Sequence, residues 1–181
     1  MIYLFLAEGF EETEALATLD ILRRAELEVY TVGVGNKVVT GSHKIPVVAD
    51  VVDFEITPDY SIDAIILPGG MPGTLNLEKS SKVQSFVDFA AENNKFICAI
   101  CAAPSILGHK GLLRDREATC YDGFETQLIG AKISENLVCR DGQFITAAGA
   151  GVSIEFGLEI VKALCGEPEA KRIKDGIKCI Q

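Results

Sequence analysis

The chain has 181 residues, 17 Lys and Arg against 26 Asp and Glu, and a formal net charge of -9. That length supports one sizeable hydrophobic core and is short for two, so a single domain over residues 1–181 is expected. An acidic balance with no cluster of Lys and Arg argues against a nucleic-acid footprint and against attraction to an anionic membrane surface, which leaves small molecules or proteins as partners.

Residues 2–7 form a continuous apolar run, as expected of a parallel strand buried on both faces. The run lacks a basic start and is cut off by Glu8, so it reads neither as a signal peptide nor as a membrane span, and no later run is long enough to span. The expectation is a soluble, cytoplasmic protein. A helix follows from about residue 11, with Ala15, Leu16, Leu19, Ile21 and Leu22 on its apolar side. Glu11, Glu12 and Glu14 fall in its first turn, where the helix dipole favours negative charge. Residues 28–34 read as a second strand, and residues 37–56 carry short alternating patterns with Gly41 and Pro46 that predict an edge hairpin.

Residues 62–67 form another buried strand, ending in Pro68-Gly69-Gly70-Met71-Pro72-Gly73. This loop has neither the spacing and Lys of a P-loop nor a dinucleotide fingerprint, so its glycines turn the chain or free backbone N–H groups toward a ligand. An amphipathic helix is predicted over residues 80–93 through Val83, Phe86, Val87, Phe89 and Ala90, followed by a strand over residues 95–100. Residues 137–146 predict a hairpin around Asp141-Gly142, residues 147–151 a small-residue loop, residues 152–165 a strong helix, and residues 168–175 a last helical segment. Strands alternating with helices imply a doubly wound, mainly parallel sheet covered on both faces. Ligands bind beyond the carboxyl ends of the strands in such sheets. The loops at residues 8–14 and 68–73 and the turn at Cys101 should therefore converge.

At Cys101 an apolar strand pattern gives way to small residues and then to Pro104 and a helical pattern. A side chain exposed on a sharp strand-to-helix turn needs small residues two before and two after it, and Ala99 and Ala103 meet that need. A helix start also favours thiolate over thiol. The residues alone leave two readings open: a reactive cysteine on a nucleophile elbow, or a small buried hydrophobe as most free cysteines are. The six cysteines, Cys98, Cys101, Cys120, Cys139, Cys165 and Cys179, read as free thiols in a chain with an adequate core and no secretory signal. Cys98 and Cys101 form a C-x-x-C pair, but Cys98 falls inside the strand, and no second pair or nearby His completes a metal ligand set. No metal or organic cofactor is expected.

Convergence of the loops would bring Glu14 to the sulfur and make the N–H groups of Gly70 and Ala102 an oxyanion hole. Because two adjacent negative charges repel, the expectation is a protonated Glu14 donating to a thiolate, with the Glu14 pKa raised and the Cys101 pKa lowered.

The segments Ala7-Glu8-Gly9-Phe10-Glu11-Glu12-Thr13-Glu14, Leu67-Pro68-Gly69-Gly70, Ala99-Ile100-Cys101-Ala102-Ala103-Pro104 and Ala148-Gly149-Ala150-Gly151-Val152-Ser153-Ile154-Glu155-Phe156 resemble, in order and over almost the whole chain, the ThiJ/PfpI superfamily. Within it they resemble the subfamily of the Parkinson-associated protein deglycase and its bacterial relatives. The resemblance implies a flavodoxin-like fold and a homodimer, with Cys101 as the elbow cysteine, Glu14 as its carboxyl partner and Gly69-Gly70 as the oxyanion loop. It also implies glutathione-independent conversion of methylglyoxal to lactate, repair of glycated side chains, and oxidation of the cysteine to a sulfinate, so that a redox-sensing stress protein or chaperone is the alternative. The protease-like branch of the superfamily carries His directly after the cysteine, where this chain has Ala102, so cysteine amidase or protease chemistry stands third. His109 reads as a solvent-facing helix residue. His43 falls where some relatives place an Arg near the pocket and reads as a polar hairpin residue or as a contact for a bound anion. Ala148 replaces an Arg of some relatives, and Cys120, near Tyr121, lies within possible reach of the pocket.

Overall fold

A computed structural model describes residues 1–179. The apolar opening run forms β1 (Ile2–Leu6), every residue of which is buried, and leads into α1 (Glu12–Arg24) and β2 (Val29–Gly33). Next come β3 (Val38–Thr40), β4 (Pro46–Val48), β5 (Val51–Val52), β6 (Ala64–Leu67), α2 (Gly73–Lys79) and α3 (Ser81–Glu92). The chain continues through β7 (Phe96–Ile100), α4 (Pro104–His109), β8 (Glu117–Ala118), β9 (Lys132–Ile133), β10 (Val138–Asp141) and β11 (Phe144–Ala147). It closes with α5 (Ser153–Cys165) and α6 (Glu167–Gly176).

Seven strands form the central sheet in the order β10-β11-β7-β6-β1-β2-β5. All pairs are parallel except β10 with β11, the hairpin around Asp141-Gly142. Alternation along β1 divides the core between the two faces of the sheet. Ile2, Leu4 and Leu6 belong to a cluster with Ile21 and Leu22 of α1 and Phe156, Ile160 and Val161 of α5. Tyr3 and Phe5 belong to the opposite one, with Val83, Phe86 and Val87 of α3 and Ile106 and Leu107 of α4. The result is a single α/β domain of three layers, as the alternation of elements implies.

The expected edge hairpin is corrected in one respect. Strands β3 and β4 do pair antiparallel, but as a separate two-stranded sheet, while β5 turns back to lie parallel against β2 as the true edge of the main sheet. An antiparallel hairpin closes its own hydrogen bonds and so needs no neighbour, whereas the edge of β2 remains to be covered. Among the described residues, no helix is long and apolar enough to cross a membrane.

Phe86 is fully buried and meets Tyr3 and Phe5 edge-on, with ring centroids 5.4 and 5.2 Å apart. Truncating it removes the transfer free energy of the ring and leaves a cavity between α3 and the sheet. Phe86→Ala is therefore expected to lower stability by about 3–5 kcal/mol. Urea unfolding should show this as a lower midpoint at an unchanged slope.

Candidate active site

The carboxyl ends of β1, β6 and β7 lie side by side in the sheet, so the loops that follow them meet. Hydrogen bonds and close packing at glycine join the first two. Glu11 N–H donates to the Gly69 carbonyl at 3.0 Å, and Gly73 N–H donates to the Gly9 carbonyl at 3.1 Å. At Gly70, with φ of +88°, a Cβ would lie 2.5 Å from the Glu11 nitrogen and 2.6 Å from the Gly9 carbonyl oxygen, a contact that only glycine admits.

Cys101 follows β7 directly, with φ of +64°, in a region that non-glycine residues enter only where the surroundings impose it. The surroundings here are two backbone hydrogen bonds. Cys101 N–H donates to the Ala147 carbonyl at 2.8 Å, continuing the β7–β11 ladder, and Tyr121 N–H donates to the Cys101 carbonyl at 2.8 Å. Pro104 then starts α4 at its first turn, where a missing N–H is harmless. The backbone of Cys101 is thus clamped from both sides and its side chain stands at the turn.

Glu14 reaches the sulfur from α1. The residue is 1% exposed, and its carboxyl accepts the Gly69 N–H on Oε2 at 2.8 Å and is hydrogen-bonded to the Cys101 thiol. Glu11 caps the helix below it, accepting the Glu14 N–H at 2.7 Å. Burial, with a smaller contribution from the nearby charge of Glu11, raises the Glu14 pKa to about 7 against the lowering effect of the Cys101 and Gly69 hydrogen bonds.

The sulfur departs from expectation. Burial first, then the charge of Glu14 and the hydrogen bond to it, push the Cys101 thiol up to about 12, and the N–H groups of Ala102 and Gly70 that point to it lower it only in part. Helix α4 has six residues, so its dipole contributes little. This upward direction is opposite to the lowering expected from the sequence, and the sulfur and the Glu14 carboxyl titrate as one coupled pair.

Gly70 and Ala102 turn their N–H groups toward the sulfur, where an oxygen bound to it would sit. Gly69 plays a different part from the one expected, since its N–H is taken by Glu14 Oε2 and holds the carboxyl in place. Tyr121, whose N–H donates to the Cys101 carbonyl, also lines an open groove of about 370 Å³ with Leu137, Ala148, Gly149 and Val152, among others. Cys120 is buried in the core cluster of Leu113 and Leu128, and its thiol is pushed up to about 11 by burial and the charges of Glu125 and Asp122. Cys98, inside β7, is fully buried and free, its pKa raised by burial. His109 pairs with Glu78 of α2. His43 lies on Glu12, Nδ1 to Oε2 at 2.9 Å, and stays away from the sulfur pair.

Sequence reasoning missed the backbone clamp. Nothing local in residues 118–121 or at Ala147 signals that they hold Cys101, because that contact arises only when β11 joins the sheet beside β7.

Comparison with known proteins places this geometry in a family. Residues 1–163 match the model of the DJ-1/PfpI family. Protein dj-1beta of Drosophila melanogaster is 31% identical over 175 residues, covering 95% of this chain and 93% of that protein. Protein DJ-1 homolog B of Arabidopsis thaliana is 36% identical over 170 residues; the match takes in 93% of this chain but spans only 39% of the plant protein's length. A glutathione-independent glyoxalase of Caenorhabditis elegans, DJR-1.2, is 30% identical over 161 residues, with 88% and 85% covered. Among solved structures, a DJ-1 superfamily protein from Salmonella typhimurium superposes with a TM-score of 0.92 at 33% identity, over 99% of this chain and 98% of that one. Oxidized DJ-1 of Toxoplasma gondii does so with 0.93 at 30%, over 97% and 96%. The fold, the order of its motifs and these matches agree, and the chain belongs to the DJ-1/PfpI family.

Proposed function

We propose that this protein is a cysteine-dependent glyoxalase and deglycase that acts on methylglyoxal-type 2-oxoaldehydes and their adducts without glutathione. The observation that carries the reading is the thiol of Cys101, clamped at φ +64° and hydrogen-bonded to a buried carboxyl whose pKa is about 7. A general acid/base works best with a pKa near the ambient pH. Similarity to the nematode glyoxalase supports the same class of substrate.

In this mechanism the sulfur attacks the aldehyde carbon as its proton passes to Glu14, and Glu14 returns that proton to the developing oxyanion, giving a hemithioacetal. The N–H groups of Gly70 and Ala102 stabilise that oxygen while it carries charge. The Glu14 carboxylate then removes the hydrogen on the former aldehyde carbon as a proton, forming an enediolate, and returns it to the neighbouring carbon while the hydroxyl proton of the hemithioacetal passes to the neighbouring oxygen. The product is a thioester of the 2-hydroxy acid. Water cleaves the thioester, releasing lactate from methylglyoxal and restoring the thiol. The sum is addition of one water, with one carbon oxidised and its neighbour reduced, so no external oxidant or cofactor enters. With a glycated amine, the thiol replaces nitrogen on the same carbon and the amine leaves with the proton from Glu14. The reading includes the cytoplasmic homodimer that family resemblance implies.

The test is lactate formation from methylglyoxal in the absence of glutathione. Cys101→Ser should reduce it to the blank rate, and Cys165→Ser, far along the chain at the end of α5, should leave it unchanged. Lactate formation undiminished in Cys101→Ser would sink the proposal. A second reading has its own support in the N–H groups of Gly70 and Ala102 turned toward the sulfur. They could equally hold the oxygens of a sulfinate, with protonated Glu14 donating to one of them, as a redox-sensing stress protein or chaperone requires. Protection of a client protein by turnover-deficient protein would favour that reading.

A further inference from the structure

Outside the sulfur centre, the first turn of α1 and the β3–β4 hairpin bring together Glu11, Glu12 and His43, one donor atom from each lying within 4.8 Å of the others. We propose that this cluster, with the hydroxyl of Ser42, is a binding site for a divalent transition-metal ion of the Zn²⁺ type that clips the hairpin to the helix.

The argument is geometric. His43 Nδ1 lies 2.9 Å from Glu12 Oε2, 3.2 Å from Ser42 Oγ and 3.6 Å from Glu11 Oε1, and Ser42 Oγ lies 3.3 Å from Glu12 Oε2. Four ligands at about 2.0–2.1 Å around a tetrahedral ion stand about 3.3 Å apart. The four spacings bracket that length for four of the six edges, and the Glu11–Glu12 edge lies within 4.8 Å, so the donors surround a point at which an ion can sit once the exposed His43 ring and Glu11 adjust.

The orientation of the carboxylates points the same way. Glu12 Oε1 is held by the N–H groups of His43 and Ile45, at 2.8 and 3.3 Å, which leaves Oε2 facing the imidazole. Glu11 Oε2 is held by the Glu14 N–H at 2.7 Å, which leaves Oε1 facing it too. Each carboxylate thus has one oxygen fixed by the main chain and the other directed at a common point, the arrangement in which outer hydrogen bonds orient metal ligands. Gly41 makes room for it, since a Cβ there would lie 2.2 Å from Glu12 Cδ and Oε1.

Donor chemistry selects the ion. One imidazole nitrogen among oxygens suits Zn²⁺ and its neighbours, whereas Ca²⁺ and Mg²⁺ favour six or more oxygens. Two carboxylates supply the negative charge that offsets the positive end of the α1 dipole. The His43 side chain is 69% exposed while those of Glu11 and Glu12 are 14% and 6% exposed, so the site is rigid at its base and open at its mouth. The ion takes the place of the proton that Nδ1 shares with Glu12.

The experiment is titration of the full-length protein with Zn²⁺ followed by calorimetry and thermal unfolding, repeated with Co²⁺ as a spectroscopic probe. One equivalent should bind and raise Tm in proportion to the logarithm of free metal. Co²⁺ should give the visible bands of a tetrahedral ion with nitrogen and oxygen ligands, without thiolate-to-cobalt charge transfer, and should broaden the His43 ring resonances. His43→Ala should weaken Zn²⁺ binding at least ~10-fold, and His109→Ala should leave it unchanged. Because the His43 ring is exposed and Glu12 keeps its backbone donors, His43→Ala should fold normally. Binding that is undiminished in His43→Ala, a thiolate band that vanishes in Cys101→Ser, or no binding by the wild type would each overturn the proposal.

Discussion

Replacing Glu14 with Gln should move two properties of Cys101 in opposite directions. Turnover of 2-oxoaldehyde should fall about 10²–10⁴-fold, the usual contribution of a positioned acid/base. Alkylation of the same sulfur at a given pH should become faster. The reason is that the carboxylate has two effects on the thiol. It accepts the thiol proton during attack, which speeds catalysis, but its charge and its hydrogen bond also stand behind burial among the causes that hold the thiol at about 12. Gln removes the charge and the acceptor strength of the carboxylate together. In wild type, kcat/KM should rise with pH through a midpoint near 7 as Glu14 ionises, and the Gln variant should lack that limb. Stability follows with a definite sign. The native Glu14 pKa lies above the unfolded value of 4.5, so the native state binds the extra proton, and wild-type stability should fall as pH rises from about 4.5 to about 7. Urea midpoints across that window should be flatter for Glu14→Gln. If wild-type alkylation instead has a midpoint well below the free-thiol value of about 8.5, and Glu14→Gln raises it, the coupled pair holds its proton on Glu14 and the upward shift at Cys101 is overturned.

The reversal at Cys101 marks where sequence reasoning reaches its limit. A strand pattern, flanking alanines and Pro104 are local features, and they locate the turn that the structure contains at Cys101 with φ +64°. The continuous apolar run of β1 and the alternation of strands and helices are likewise local, and they suffice for the parallel sheet and its two covered faces. The state of the sulfur is a sum over burial, a carboxyl from α1 and two backbone N–H groups, none of which can be weighed before the chain is folded. The same holds for smaller elements. Strand β5 has two residues and is defined only by β2 beside it, and β8 and β9 have two residues each and pair with one another across a loop. Helix α2 begins at Gly73, which the sequence assigns to the glycine loop; it forms where Gly73 packs against the backbone of Gly9 and Phe10. Glu12 and His43 show the complementary case. Glu12 reads alone as a first-turn carboxylate and His43 as a polar hairpin residue or an anion contact, and only the hairpin's return to α1 joins them.

Gly69→Ala should disable the sulfur pair while leaving most of the fold in place. A Cβ at Gly69 would lie 2.7 Å from Cys101 Cβ and 2.8 Å from Glu14 Oε2, with the Ile100 carbonyl oxygen at 3.1 Å. Real Cβ atoms do not approach so closely, so either the cysteine or the carboxyl must move, and the Gly69 N–H bond to Glu14 Oε2 moves with them. Displacing reacting groups by about 1 Å costs on the order of 10²-fold in rate. Overpacking of this kind costs about 1–3 kcal/mol in stability. The loss should thus be large in kcat and modest in urea midpoint. Gly70→Ala should show the reverse emphasis. Its φ is +88° and its new Cβ would meet only backbone, the Glu11 nitrogen, the Gly9 oxygen and the Phe10 carbonyl carbon at 2.5–2.7 Å, so the junction of the two loops itself must open and folded protein should be lost. Gly151→Ala meets nothing within 4 Å and should leave rate and stability unchanged. If Gly69→Ala turned over at the wild-type rate, the carboxyl and the sulfur would have room to rearrange without penalty, and the close approach of the glycine loop could not be what holds the pair in register.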